Sequence, residues 1–363
     1  MNHWQTRPQL TGAFPPARRW PEPLHRGLAQ LQRLTRPQSL TLLGVSGGAD
    51  SMALLVVATL CQTRADHTRR FGVISLDHQL QSGTAEVAAA VATIATKLGL
   101  EPVITRALDL PETGTGGLEA TARVGRLEAF AQGAHTTGAQ AVALGHTADD
   151  QAEQVLLGLV RGSGPRSLAG IAETTTYGEL HHPLHVVRPF LGISRAETEQ
   201  ICHWAGIEPW QDPMNTDPRI LRARIRHQVL PGLEQLGPTV RSGLLATAAI
   251  AAEDAEYLDA EAHRRYRMLA QIDKVTIRFD LQAVRDLPAA LGHRVIGRAV
   301  TELGGTRPSR ERTLAVMELA RARPGSSAGP IQLAGGVAAR RNRGQNPGEY
   351  DTLELFTVPS SRS

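Results

Sequence analysis

The sequence predicts an α/β protein: a doubly wound parallel sheet with a smaller, mainly helical C-terminal domain. Three observations carry this. Strand-length apolar runs alternate with helix-periodic segments from residue 24 to residue 205, the pattern of a parallel sheet covered on both faces. The first apolar run, 40–45, meets a second, 52–60, through Ser46-Gly47-Gly48-Ala49-Asp50-Ser51, which reads as strand, glycine turn and helix. Polar segments at 46–51, 77–78 and 145–153 all fall at carboxyl ends of predicted strands, where such sheets bind ligands.

The elements follow in order. A short helix over 24–34 leads into the first strand. A second strand, 71–76, ends at Asp77-His78. Helical periodicity over 84–98 closes at Gly99, a third strand covers 102–105, and 114–117 is a flexible glycine loop. A helix over 118–133, a strand at 141–144 and a helix over 149–159 come next, ending in the turn-rich Arg161-Gly162-Ser163-Gly164-Pro165. Val186 and Val187 close another strand before Arg188-Pro189-Phe190, and Ser194 N-caps a helix to 205. Residues 211–231 read as a polar loop and an Arg-rich helix. Beyond Pro238 the pattern is largely helical: 239–271, 288–303 and 310–322. A Gly/Pro/Ser stretch over 324–330 precedes a basic turn, Arg340-Arg341-Asn342-Arg343. The expected organisation is an N-terminal arm (1–23), an α/β domain (24–237), the helical domain (238–358) and a disordered tail (359–363).

A chain of 363 residues buries a sizeable core. Basic side chains exceed acidic ones by four, and all but Lys97 and Lys274 are arginine. That small excess is compatible with a nucleic-acid partner without requiring one. No apolar stretch has membrane-span length, and the first 23 residues lack the apolar core of a signal peptide. Cys61 and Cys202 stand far apart in apolar surroundings and read as buried, reduced residues. These features place the chain in the cytoplasm. His181, His182 and His185 flank a helix-breaking Pro183 and have no ligand spacing, so they read as loop residues.

The glycine turn aims backbone N–H groups and a helix N-terminus at an anion. Ser46 and Ser51 offer hydroxyl donors. The turn lacks the lysine of the G-x-x-x-x-G-K-[ST] loop, so this is a different phosphate grip. The second constellation is Gly145-His146-Thr147-Ala148-Asp149-Asp150-Gln151-Ala152-Glu153. Asp150 and Glu153 are i and i+3 on a predicted helix, so their carboxylates share a face. Beside phosphates such a pair makes sense if it holds a cation, either Mg²⁺ or an ammonium group. Helix capping and a solvated acidic face are the plainer reading of the same residues.

The hexapeptide 46–51 resembles the signature of the N-type ATP pyrophosphatases, the PP-loop family. That resemblance implies ATP cleavage between the α- and β-phosphates and adenylation of a substrate oxygen. Further segments sharpen it: Asp77-His78, Ala122-Arg123-Val124-Gly125-Arg126, the 145–153 run, Arg161 to Gly164, Val187-Arg188-Pro189-Phe190, Asp212-Pro213-Met214-Asn215 and Arg222-Ala223-Arg224-Ile225-Arg226. Their order and spacing resemble the tRNA(Ile)-lysidine synthetases over roughly residues 38–345. The family attaches free L-lysine to the wobble cytidine of the CAU-anticodon isoleucine tRNA. The resemblance implies ATP and pyrophosphate binding by Ser46, Gly47, Gly48, Ala49, Asp50, Ser51 and His146. It implies Asp50 as a Mg²⁺ ligand, Arg123 as a stabiliser of developing charge, Asp150 and Glu153 as captors of the lysine ammonium, and Arg188, Arg222, Arg224 and Arg226 as tRNA contacts. It also implies a homodimer. Leu127, Gln154 and Ala223 stand where the family usually has Tyr, Thr and Asn. Two rival readings remain: a thiolase of the same superfamily, which needs reactive cysteines, and a non-catalytic tRNA-binding relative.

Overall fold

A computed structural model of the protein describes residues 17–64, 68–77, 83–108, 118–162, 164–211, 220–322, 330–343 and 351–358. Expectations for the arm before residue 17, His78, the 114–117 loop, Ser163, Asp212 to Asn215, the 324–329 stretch and the tail lie outside the described residues. The chain divides into two units, residues 1–250 and 251–363.

The first unit opens with helix α1 (Glu22–Leu34), then strand β1 (Leu40–Gly44) and helix α2 (Ala49–Arg64). It continues through β2 (Arg70–Asp77), α3 (Thr84–Lys97), β3 (Val103–Ala107), α4 (Leu118–Thr137), β4 (Ala141–Leu144) and α5 (Ala148–Arg161). A short α6 (Pro165–Leu168) leads to β5 (Thr174–Tyr177), β6 (Leu184–Val187) and α7 (Arg195–Trp204). Next, α8 (Leu221–Arg224) runs through a π-helical turn (Ile225–Val229) into α9 (Leu230–Glu234), and α10 (Val240–Leu269) follows.

The sheet order is β3-β2-β1-β4-β6-β5. Every pair is parallel except β5 with β6, an antiparallel edge hairpin that the sequence pattern did not reveal. Strand side chains alternate between two cores, as a period of two requires. Leu43, Val73, Ala143 and Val187 face the core built with α1, α2, α3 and α7. Leu42, Ile74, Val142 and Val186 face the core built with α4. Helix α2 is buried all round from Ser51 to Cys61, so it behaves as a central core helix rather than an amphipathic one.

The chain leaves β1 towards β2 and β3, then returns to lay β4 on the other side of β1. This reversal is the topological switch point, where open α/β sheets bind ligands. Two glycines let the backbones converge there. Gly47 has φ +87°, and a Cβ on it would lie 2.6 Å from Val87 Cγ1. Gly145, just past β4, packs so closely on α2 that a Cβ would lie 2.8 Å from the Asp50 carbonyl oxygen.

The second unit contains the rest of α10, then β7 (Gln271–Ile272), β8 (Thr276–Asp280), α11 (Leu281–Arg285), α12 (Ala289–Glu302), α13 (Arg310–Arg321), β9 (Ile331–Leu333), β10 (Val337–Asn342) and β11 (Thr352–Thr357). Helices α10, α12 and α13 match the sequence reading, but α11 was not expected and the strands add an antiparallel sheet ordered β7-β8-β11-β10-β9. The basic stretch read as a turn is therefore corrected: Arg340, Arg341 and Asn342 lie in β10. Buried Glu354 on β11 receives Arg278, Arg340 and Asn342, and the Arg340 guanidinium lies 4.6 Å from the Phe356 ring centre. These cross-strand charges hide a strand signal that apolar alternation would otherwise give. The unit division falls within α10 rather than at the Gly237-Pro238 turn. Leu244 and Leu245 of α10 still pack with Ala152, Leu156 and Leu157 of α5.

Gly145→Ala pushes a methyl group against backbone and is expected to lower stability by about 1–3 kcal/mol. Gly178→Ala, whose Cβ would meet nothing within 4 Å, is the control and should leave the denaturant midpoint unchanged.

Candidate active site

Beyond the carboxyl ends of β1 and β4 lies a cavity of about 720 Å³. Its wall includes Ser46, Gly48, Ala49, Asp50 and Ser51 from the first loop, Arg123 from α4, His146 and Asp150 after β4, and Arg188, Arg222 and Arg226. Gly47, Glu153 and Arg224 are not part of this wall. Apolar Ile74, Leu76, Leu127 and Phe130 line it as well, a surface suited to the face of a nucleobase.

The first loop is braced from within. The Ser46 N–H donates to Ser51 Oγ at 3.2 Å, and Ser51 Oγ donates to the Gly48 carbonyl at 2.9 Å. Ser51 thus holds the turn closed, a correction to its expected role as a free donor to a ligand. Ser46 stays exposed. The Trp210 N–H donates to the Gly47 carbonyl at 3.0 Å, tying the turn to the segment after α7. Because α2 begins at Ala49, its first N–H groups have no carbonyl within the helix, which leaves them for an anion.

Asp50 sits in the first turn of α2. Burial raises its pKa to about 6, against the opposing effect of the Thr198 hydroxyl, which donates to Asp50 Oδ1, and of the Arg195 charge. Sequence reasoning missed Thr198, Arg195 and Trp210. Each meets the loop across more than a hundred residues of chain, and no local pattern announces such a contact.

His146 lies next to Asp150 in this wall. Burial lowers its pKa to about 4, and Arg188, Arg222 and Arg126 act in the same direction while Asp150 opposes. The ring is therefore neutral at physiological pH, and its buried Nδ1 has no hydrogen-bond partner. Such a group suits a neutral polar contact with a nucleotide or base.

The acidic helix start does three things at once. Thr147 and Asp150 form a capping box: the Thr147 N–H donates to Asp150 Oδ2 at 2.8 Å, and the Asp150 N–H donates back to Thr147 Oγ1. Asp149 accepts from the Arg195 N–H at 2.8 Å and from Arg241. The Gln151 amide holds Ile171 at both its N–H and its carbonyl, at 2.6 and 2.8 Å, fixing another part of the cavity wall. The capping reading therefore holds for Asp150.

The shared face of Asp150 and Glu153 is occupied by arginines from the α8 segment. Arg222 Nε donates to Glu153 Oε2 at 2.8 Å, and its Nη2 donates to Asp150 Oδ1 at 3.2 Å. Arg226 grips Glu153 with both Nε and Nη2 and lies 3.6 Å from Asp150 Oδ1. Glu153 itself has no exposed surface. Burial acts to raise Asp150, but the Arg222 charge, then His146 and the Thr147 N–H, hold its carboxyl below the usual carboxylate range. Arg222 and Arg226 therefore face inward, not across an outer surface, and only Arg224 of this trio is exposed. Arg188 is a correction too. It is 5% exposed, and its Nη1 donates to the Ala172 carbonyl and Thr175 Oγ1, so it braces the wall rather than facing an outer RNA surface.

Both cysteines are buried. Burial pushes the Cys61 thiol up and the Cys202 thiol up to about 12, so neither is a thiolate nucleophile. Among the described residues no group of three or more His, Cys, Asp or Glu side chains is arranged to hold a metal, and no helix is long and apolar enough to cross a membrane.

Comparison with known proteins places the chain in a family. The model of the PP-loop domain matches residues 22–233. The tRNA(Ile)-lysidine synthase of Leifsonia xyli subsp. xyli is 43% identical over 308 residues, which cover 84% of this chain and 89% of that protein. Its counterpart in Streptomyces coelicolor is 39% identical over 311 residues, 84% of each chain. In Thermobifida fusca the figures are 39% over 267 residues, 73% of this chain and 78% of that one. The solved U34-tRNA thiolase NcsA from Methanococcus maripaludis, with its 4Fe–4S cluster, superposes with a TM-score of 0.54 at 15% identity, covering 64% of this chain and 78% of that chain. That likeness speaks to fold alone. On the family match and the long, highly similar relatives, the chain belongs to the PP-loop family and, within it, to the tRNA(Ile)-lysidine synthases.

Proposed function

We propose that this protein joins free L-lysine to C2 of the wobble cytidine in the CAU-anticodon isoleucine tRNA, changing its codon reading from AUG to AUA. The base's C2 oxygen attacks the α-phosphorus of ATP, the α–β bond breaks and pyrophosphate leaves. The lysine ε-amine, after losing a proton, then attacks C2, and AMP departs with the oxygen. One observation carries this reading: the glycine turn, Arg123 and Asp150 face a single cavity at the sheet's switch point. Nucleotide, base and amine can meet there, which is most of what such a transfer needs.

The free N–H groups of the first turn of α2 receive the departing pyrophosphate. Asp50 fits Mg²⁺ in the manner usual for that ion, one carboxylate combined with substrate phosphates; the metal would neutralise phosphate charge. Arg123 stabilises the charge that builds on the transferred group. Neutral His146 offers its unpartnered nitrogen to nucleotide or base. The oxygens of Asp150 and Glu153 that Arg222 now touches receive the lysine ammonium. Exposed Arg224 contacts RNA phosphate. A cytoplasmic homodimer belongs to the same reading. The thiolase alternative meets two buried cysteines with raised thiol pKa values and is disfavoured.

The direct test incubates the protein with ATP, labelled lysine and a panel of tRNAs. Label should enter only the CAU isoleucine species, and incorporation into other tRNAs or none would overturn the assignment. Asp50→Asn should reduce pyrophosphate release by about a hundredfold or more. It should also stabilise the protein. The folded state binds the Asp50 proton more tightly than the unfolded chain does, so the ionised side chain costs stability above pH about 6. The melting-temperature gain of Asp50→Asn should be largest near pH 8 and shrink as the pH falls from about 6 towards 3.8. Arg224→Ala should weaken tRNA binding and flatten the slope of log K against log salt by about one; an unaltered slope would remove Arg224 from the phosphate contacts.

A further inference from the structure

We infer that Arg222 is the exchangeable cation of the amine subsite: lysine enters only as Arg222 leaves, and RNA phosphate receives the displaced guanidinium. This rests on the reading above and deepens it.

The charge count motivates it. Asp150 and Glu153 bring two negative charges, and Arg222 and Arg226 bring two positive ones. The cluster is balanced, and Glu153 is fully buried. An ammonium added to it would be a third cation in a poorly solvated place. Removing a guanidinium with nothing in return would leave a buried carboxylate under-neutralised, which is strongly unfavourable. A one-for-one exchange of guanidinium for ammonium avoids both.

The geometry says which arginine exchanges. Arg226 chelates Glu153 with two nitrogens, and its side chain is 23% exposed. Arg222 is 35% exposed and places a single nitrogen on each carboxylate, Nε on Glu153 Oε2 and Nη2 on Asp150 Oδ1. Those are the two oxygens an ammonium needs if both acidic residues are to share it. When Arg222 swings away, Arg226 still holds Glu153, and the cap of α5 still holds Asp150 Oδ2. The subsite therefore stays built while its occupant changes. Arg222 and exposed Arg224 share one short helix but lie on different faces of it; the Arg222 side chain, already 35% exposed, has to swing outward past the helix to meet RNA phosphate bound near Arg224. Filling the amine subsite and engaging RNA become one linked event.

Linkage makes this measurable. Equilibrium dialysis of labelled L-lysine, with full-length protein and no ATP, prevents turnover. In the wild type, saturating CAU isoleucine tRNA should lower the lysine Kd by about tenfold, and saturating lysine should lower the tRNA Kd by the same factor. Arg222→Gln should bind lysine without tRNA at least about fivefold more tightly than the wild type, and tRNA should then change its lysine Kd by less than about twofold. If Arg222→Gln binds lysine no better than the wild type, or keeps the full tRNA effect, the exchange is wrong. The wild-type pair of titrations needs no variant, and a lysine Kd indifferent to tRNA would also overturn the inference. Wild-type lysine incorporation is assayed in parallel. Incorporation without linkage refutes only the exchange, whereas no incorporation refutes the function on which it stands.

Discussion

Glu153 has no exposed surface, and a carboxylate is tolerable in such a place only when cations meet it with good geometry. Two guanidiniums do so, and both come from a segment some seventy residues further along the chain. This one requirement fixes where the α8 segment lies against α5. It explains why arginines that look, in sequence, like an outward basic patch turn inward. The π-helical turn that starts at Ile225 sits among these residues, in keeping with the tendency of such turns to occur at functional sites. Asp149, on the same helix start, ties in the N-terminus of α7 and Arg241. Three adjoining elements are therefore held by the first two turns of a single helix.

The phosphate end of the cavity obeys a different constraint, close backbone approach. Gly145 lets the chain leaving β4 rest on the first turn of α2. Asp50 then lies in a setting that resists its charge, while Thr198 and Arg195 from α7 partly compensate. Ionised there at neutral pH, the side chain costs stability. His146 is kept neutral by burial among arginines, and among the described residues of the cavity wall the positive charge comes from arginines.

Much of the first unit was legible because its signals are local. Alternating apolar runs located β1, β2, β4 and the helices between them, and the glycine turn marked the switch point. The edge strand β5, with its run of threonines, carried no apolar alternation and was missed. In the second unit the sheet was invisible for a related reason: Arg340 and Arg341 read as a solvated turn, although cross-strand Glu354 and Asp351 answer their charges. At the site, residue types were legible and partners were not. The i, i+3 spacing put Asp150 and Glu153 on one face, but nothing in it says that Arg222 and Arg226 arrive there. Arg188 looked like an RNA contact because sequence shows charge and not depth. Thr198 escaped notice because its importance lies entirely in a contact across 148 residues of chain.

The Gln151 side chain bonds both the N–H and the carbonyl of Ile171, the two-bond pattern by which one peptide group ordinarily recognises another across a ladder. A helix thereby borders the pocket as a neighbouring strand would, without any extension of the sheet. Shape at that rim is written in one carboxamide. A glutamate of the same size has no N–H to give the carbonyl, so exchanging a single nitrogen for oxygen is enough to unfasten the rim while the helix beneath it remains intact.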